Sequence, residues 1–512
     1  MKAVNNCFIL LATIWSMGLM ASDYQSEARA FDAKNLSSHS ALFQNISGWM
    51  NKGIINKKRV NLNSDAERSP DPLEFKTVED TFAINYEFFK KDPEFKCRRP
   101  SYYNYFSALF QTKPYEDSIC EMNHKVTLIS ESAGNDSPMV ARDIDPSRIY
   151  QIHYLFAGKG KQMMSRWGHA MFRLVLCAPG KPVSPDCMND YAQHVVVSYR
   201  ANVEDMNIDY AKGMNGVYPS QMFLMNMSEV VAEYTKSEFR DMISLPLKMN
   251  RSEISHFADK LLENYWSYKG KYFFLTNNCA TEAMNLLRVA YPDNAQMQTA
   301  SIITPLGLYD YLVKNNITNT DLLNDEKAAI RSGYLFPGIS DKLQKSLDLF
   351  IGNKKITFKE FALKLKSSER RAFYEQKIST TPEKTLLLAN ALRIEEQILL
   401  SREQLFAKKI GSALFGKEPM PELKNTILES KILEMKDLYK KLTAESYLAH
   451  GYGIPLKDEF KLASSESMKT IMDEIHCNME ELKEVAVNFF PNEVEDIKQT
   501  IENRLWIMEQ LK

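Results

Sequence analysis

The chain has 512 residues, of which 44% are hydrophobic and 11% aromatic, so it holds enough apolar material for two or three domains and is not a disordered polypeptide. Its 64 Lys+Arg nearly balance 65 Asp+Glu, which argues against nucleic acid as a main partner.

The first residues, MKAVNNCFILLATIWSMGLMA, read as a secretory signal peptide over 1–21: an early lysine, an apolar run from Phe8 to Met20, then small residues at Ala21 and Ser22. That run is shorter than the roughly 20 residues a bilayer-spanning helix needs, and no later stretch reaches spanning length. The reading implies cleavage near Ser22 and a periplasmic or secreted protein. Residues 22–140 form a mixed, mainly helical segment, helical around 73–91 and Tyr102–Phe110, with a turn-rich break at ESAGNDSP, 131–138. Strand-like runs follow at 149–158, 169–177 and 194–201. In the second, Ala170, Phe172, Leu174 and Leu176 alternate with the opposite face. Further strands are expected at 242–247 and 271–276, with a helix between them over 251–266. From about 340 the pattern is all-helical. Its best example opens at Thr381–Pro382–Glu383 and runs through Leu387, Ala391, Ile394, Ile398 and Leu405. Segments 428–444 and 465–512 have the same character.

Seven cysteines are present, and Cys7 leaves with the signal. Six permit fifteen pairings, and the expected local pairs are Cys97 with Cys120 and Cys177 with Cys187. Export makes such bridges possible. No CxxC or paired His/Cys spacing suggests zinc, and the sequence implies no metal and no cofactor. The glycines of KGMNG, 212–216, lack the GK[ST] ending of a phosphate loop and read as a turn beside a cleft.

Cys279 follows a strand-like run and Asn277–Asn278, and it opens the helix ATEAMNLLRVAYP. Asparagine is a favoured cap, so the thiol falls in the first helical turn. There the free amides and the helix dipole favour a thiolate, which is the attacking species. An activated thiol of this kind reacts even at mildly acidic pH. His169, in SRWGHAMFRL, follows Gly168 at a strand start, where an imidazole opens onto a cleft and can take the thiol proton. The bland readings are a satisfied core histidine and a Cys279–Cys477 bridge.

The pieces SRWGHAMFRL, YRANVEDMNIDYAKGMNGVYPS, EYTKSEFRDMISLPLKMNRSEI, YFFLTNNCATEAMNLL and TPLGLYDYL, in this order, resemble the Lnb N-terminal periplasmic domain family, with a weaker match at KCRRPSYYNYF, 96–106. The resemblance implies an α+β fold: a circularly permuted papain-like (NlpC-like) antiparallel sheet with helices, and here an all-α C-terminal region. Its layout is similar to that of the lecithin–retinol acyltransferase group. The thiol domain then spans 141–312 and the helical region 313–512. Carried over, Cys279 is the nucleophile and His169 the base. His194 or Ser198 orients the imidazole, and Asn278 serves the oxyanion. Trp167, Tyr218 and Arg173 are the candidate substrate contacts, although Arg173 and Glu238–Asp241 read more readily as a buried ion pair holding strands and helix together. Tyr218, Phe223 and Met214, Met222, Met225 and Met227 read as core before an acyl-chain groove. The implied function is a cysteine-dependent acyltransferase or amidase/peptidase acting on a cell-envelope lipid, lipoprotein or peptide, with a membrane surface or a protein docked to the C-terminal helices as possible partners. The rival class is a non-enzymatic envelope scaffold.

Overall fold

Apolar alternation along 149–201 builds the sheet that the sequence leads one to expect, because period-two side chains give a strand two faces to bury. The computed structural model of the protein describes residues 85–86, 88–113, 124–129, 139–158, 168–202, 210–268, 270–291, 294–352, 355–382, 384–415, 420–448, 453–455 and 466–511. The expected signal over 1–21 and the break at 131–138 lie outside them, as does most of the expected helix over 73–91.

The protein is α+β. Strands β1 (Lys125–Ile129) and β2 (Met139–Asp143) form an antiparallel pair. The main sheet holds β3 (Ile149–Ala157), β4 (His169–Leu176), β5 (Val195–Ala201), β6 (Pro219–Asn226), β7 (Met242–Pro246), β8 (Gly270–Lys271) and β9 (Leu335–Phe336). It is antiparallel, in the order β8-β6-β5-β4-β3-β7-β9. Helices α1 (Pro100–Leu109), α2 (Arg251–Ser267), α3 (Cys279–Ala290) and α4 (Pro305–Lys314) accompany it.

The two faces of the sheet bury different neighbours. Tyr154, Phe172, Leu174 and Val197 meet Phe257 and Leu261 of α2 and Ala283 and Leu287 of α3 in the largest core. Leu155, Met171, Val196 and Met242, one residue out of phase, pack with Met227, Val230 and Tyr234. Helix α1 docks on α2 through the buried Glu263 carboxylate, which accepts from the Ser101 amide at 2.9 Å and so satisfies a free donor at the start of α1.

Two expectations change. The aromatic run at 271–276 is not a strand beyond its first residue: Phe273 and Asn277 exchange backbone hydrogen bonds with each other, closing a tight loop. The run expected over 465–512 divides into two helices at Pro491, whose ring cannot continue the preceding ladder.

The C-terminal region is helical, with α5 (Ser340–Ile351), α6 (Ser367–Thr380), α7 (Lys384–Phe415), α8 (Ile427–Leu448), α9 (Glu466–Phe489) and α10 (Pro491–Leu511). Leu387, Ala391, Ile394 and Ile398 of α7 face a core with Leu347, Phe361 and Tyr374, as their spacing predicts. Within it, Arg370 and Glu395 are fully buried and pair through two hydrogen bonds of 2.9 and 3.0 Å. Tyr374 donates to the same carboxylate and Arg370 also reaches Thr500. Removing one partner of such a pair strands a charge without water. Glu395→Ala is therefore expected to cost about 3–5 kcal/mol, measured by urea denaturation of the full chain, whereas Glu360→Ala, at an exposed pair, should cost far less.

Candidate functional site

The loop before α3 sets where the thiol stands. Tyr272 donates its amide to the Tyr218 carbonyl at 2.8 Å, and Phe274 donates to Gly213 at 3.1 Å. The 212–216 turn therefore does lie beside this loop. Gly216 has φ +69°, and a Cβ there would stand 2.2 Å from the Phe273 ring, so the position requires glycine on both counts. Asn278 then caps α3. Its Oδ1 accepts from the Ala280 and Thr281 amides at 3.0 and 3.2 Å, while Nδ2 donates to the carbonyls of Phe274 and Ile303. Both Nδ2 protons are thus committed, which removes Asn278 as an oxyanion donor.

Cys279 is the first residue of α3, is 4% exposed and carries a free thiol. The alternative reading, a bridge to Cys477, does not hold, because that cysteine is also free. The amides of Ala170, Ala280 and Cys279 itself face the sulfur, and Arg200 contributes a favourable charge. These lower the cost of a thiolate, but burial outweighs them and pushes the thiol up to about 11. The sequence expectation of a thiolate at rest is therefore overturned: the helix start supplies its donors, yet the same burial that aligns them excludes the water an anion needs.

His169 stands at the start of β4, one residue from Ala170, whose amide faces the thiol. The imidazole shares its sheet face with Met171 rather than Ala170, and among the described residues no hydrogen bond joins it to Cys279. Its Nε2 lies 2.8 Å from Ser198 Oγ, and its ring stacks with Tyr234 at 6.0 Å between centroids. Ser198 thus occupies the place expected of an orienting residue. Burial, with the charges of Arg200 and Arg240, holds His169 well below its ordinary range, so the ring is neutral at pH 7.

Sequence reasoning missed the groups surrounding this pair. Arg200 Nε donates to Ser198 Oγ at 3.1 Å, and its two terminal nitrogens bind Glu233 at 3.0 and 2.9 Å. Arg240 lies 4.9 Å from the centre of the Tyr234 ring and donates to the Gly158 and Ala157 carbonyls at 2.6 and 3.0 Å. Its ion pair with Glu238, 2.6 Å long, is a local contact two residues apart with a part-exposed carboxylate, not the buried pair between strands and helix expected of residues 238–241. The period-two step from Ser198 to Arg200 was the available signal. Glu233 and Tyr234 sit on a single π-helical turn, Ala232–Ser237, an irregularity frequent at functional sites.

Other candidates fall elsewhere. His194 is fully buried, and both ring nitrogens are engaged: Nδ1 accepts from Arg173 at 2.8 Å, and Nε2 faces the Cys187 carbonyl at 2.9 Å. It therefore cannot orient His169. Arg173 is fully buried too, donating to His194, Ser244 Oγ and the Gly333 carbonyl, which rules out a substrate contact. It is held by neutral acceptors, not by the ion pair expected of it. Met222 belongs to the larger core and Met227 to the opposite one, so the methionines line no single groove, and Tyr218 is buried. Cys177 and Cys187 are bridged as expected. Cys97 is disulfide-bonded; its expected partner Cys120, and Trp167, lie outside the described residues. No cluster of His, Cys, Asp or Glu suited to a metal occurs among the described residues.

An antiparallel sheet with a free cysteine heading a buried helix, and a histidine on the neighbouring strand start, defines an α+β domain with a thiol site. Residues 136–315 match the family described as the Lnb N-terminal periplasmic domain. Residues 2–119 match a further family described as a domain of unknown function, DUF7844, which takes in the 96–106 stretch. No curated protein and no solved structure matches the chain. Among the described residues no helix is long and apolar enough to cross a membrane.

The site yields two measurable consequences. His194 is held down to about 4 by burial and Arg173, below its unfolded value of about 6.5. The unfolded chain then binds the extra proton, so stability falls as pH drops from about 6.5 toward 4. Denaturation at pH 7 and pH 5 should differ by about 2 kcal/mol from this group, and His194→Gln should flatten that slope. For Cys279, alkylation by iodoacetamide should be slow at pH 7 and climb about tenfold per pH unit toward pH 11, followed by mass spectrometry. A plateau near pH 7 would instead mean a thiolate at rest.

Proposed function

We propose that the protein is an exported cysteine-dependent acyl-transfer enzyme, acting on a cell-envelope carbonyl through Cys279 and His169. The observation that carries this is that Cys279, at the head of α3, shares a core with Ala170, the residue after His169 in β4, so the thiol lies by the end of the strand from which the imidazole projects. The order of histidine strand before cysteine helix, with a sheet and a helix packed together, fits a permuted papain-like (NlpC-like) fold.

In the reaction, the sulfur bonds to the carbonyl carbon while the thiol proton passes to the imidazole. Because thiol and ring are both neutral at rest, this transfer accompanies attack rather than preceding it. The amide of Cys279, a donor without a partner inside the helix, faces the developing oxyanion. The leaving group takes the proton from the imidazolium and departs, leaving a thioester. Water or an acceptor amine then attacks this thioester, and the thiol is regenerated. The matched family is described as a periplasmic domain, and the signal-like residues 1–21 support the same compartment.

A second reading, a non-enzymatic envelope scaffold, draws on the raised thiol and on the lack of a direct hydrogen bond between Cys279 and His169. A thiol-directed acyl probe applied to the full chain at pH 8 separates the two. Acyl transfer predicts labelling at Cys279 that Cys279→Ser abolishes and His169→Ala slows by about 10²–10⁴-fold, the usual contribution of a general base. Labelling indifferent to His169→Ala, or absent, would favour the scaffold.

A further inference from the structure

Ser198 is fully buried, and its hydroxyl has two partners: the Nε–H of Arg200 at 3.1 Å and the His169 Nε2 at 2.8 Å. Arginine only donates, so it uses a lone pair of the serine oxygen and offers nothing to the serine proton. Among the described residues His169 Nε2 is then the one acceptor within reach of that proton. Had Nε2 carried hydrogen, two donors would point at Ser198 Oγ and the proton of a buried hydroxyl would be left without an acceptor. The nearby guanidinium acts the same way, opposing a second positive hydrogen aimed at the oxygen.

From this geometry we propose that Ser198, held by Arg200, is a positioning residue that fixes neutral His169 in its Nδ1–H form at rest. The inference deepens the proposed function and rests on His169 being the base of that site. A ring protonated on Nδ1 presents a donor, not an acceptor, on the side turned away from Ser198. For Nδ1 to receive the thiol proton in the transfer described above, the ring first changes tautomer: the Nδ1 proton is released, Nε2 takes one up, and Ser198 turns from donor to acceptor.

The arrangement has an outside support. Glu233 grips both terminal nitrogens of Arg200 and lies on the π-helical turn. The C-terminal helical region holds that turn: the Ile339 amide donates to the Thr235 carbonyl at 3.1 Å, and Gln397 Nε2 of α7 donates to the Lys236 carbonyl at 2.8 Å. The orientation of Arg200, and through it the proton on His169, is thus tied to residues far along the chain.

Ring ¹⁵N spectroscopy of the full chain, labelled at histidine and assigned with His169→Gln, reads the tautomer directly at pH 7.5. The expected result is Nδ1–H in the unsubstituted protein, retained in Ser198→Thr and shifted to a majority of Nε2–H in Ser198→Ala. Arg200→Met should shift it the same way by a smaller share, and it serves if Ser198→Ala does not fold. An Nε2–H ring in the unsubstituted protein would overturn the proposal, as would a tautomer unmoved by Ser198→Ala. The readout needs no turnover: a chain that fails the acyl-probe test but shows the Nδ1–H ring loses the enzymatic reading and keeps this one.

Discussion

The start of helix α3 is buried, and much of the site follows from that single constraint. The first amides of any helix lack partners within it, and away from water they must be satisfied by something else. Asn278 meets part of this need with its carbonyl oxygen, while its amide ties α3 to the loops at Phe274 and Ile303. What is left faces the Cys279 sulfur, together with the Ala170 amide from β4. The same enclosure raises the thiol, because a thiolate would give up hydration that a few amides do not replace. On the proposed acyl-transfer reading, the position offers transition-state stabilisation without charging the ground state, a combination that favours binding the changing charge over the resting one.

Strand β4 distributes three kinds of environment along eight residues. Ala170, Phe172 and Leu174 enter the core beneath α2 and α3. His169 and Met171 turn to the other face, toward Tyr234. Arg173 lies farther along that second face, with neutral partners at His194, Ser244 and Gly333. A buried arginine without a carboxylate is expensive, and here the cost is moderated by a fan of hydrogen bonds and by the Tyr191 and Phe336 rings near 6 Å. It joins β4, β7 and the chain just before β9, so its contribution is to hold the sheet's far edge in register.

Much of this was legible in the residues, and the parts that were not share a cause. Clean alternation marked β4 and β5, the asparagine cap marked the start of α3, and a proline-bearing loop of short span marked the Cys177–Cys187 bridge. Strand β6 was missed because methionine, phenylalanine and polar residues mix on it without a clear period, and its burial is decided by neighbours on β5. The run at 271–276 has strand composition but closes on itself through Phe273 and Asn277, an interaction four residues apart that composition does not encode. At the site, Cys279, His169 and Ser198 each carried a local signal. Glu233 and Tyr234 did not, and Arg200 carried only its period-two step from Ser198, because these three acquire meaning only when β5 and the π-helical turn meet. His194 and Arg173 misled for the reverse reason: they are polar residues beside the histidine strand, but on a stretch where the sheet is sealed.

The short strand β9 places a limit on where this protein can be divided. It pairs with β7 through Met242 and Ile243, and it lies beyond the segment 136–315 that defines the family. Cut at that boundary, the sheet would present β7 as a bare edge, with free amides and carbonyls able to recruit another chain. Arg173 would also lose the Gly333 carbonyl that receives one of its protons. The unit of homology and the unit of folding therefore do not coincide: the domain shared with relatives ends before the polypeptide that completes its sheet begins.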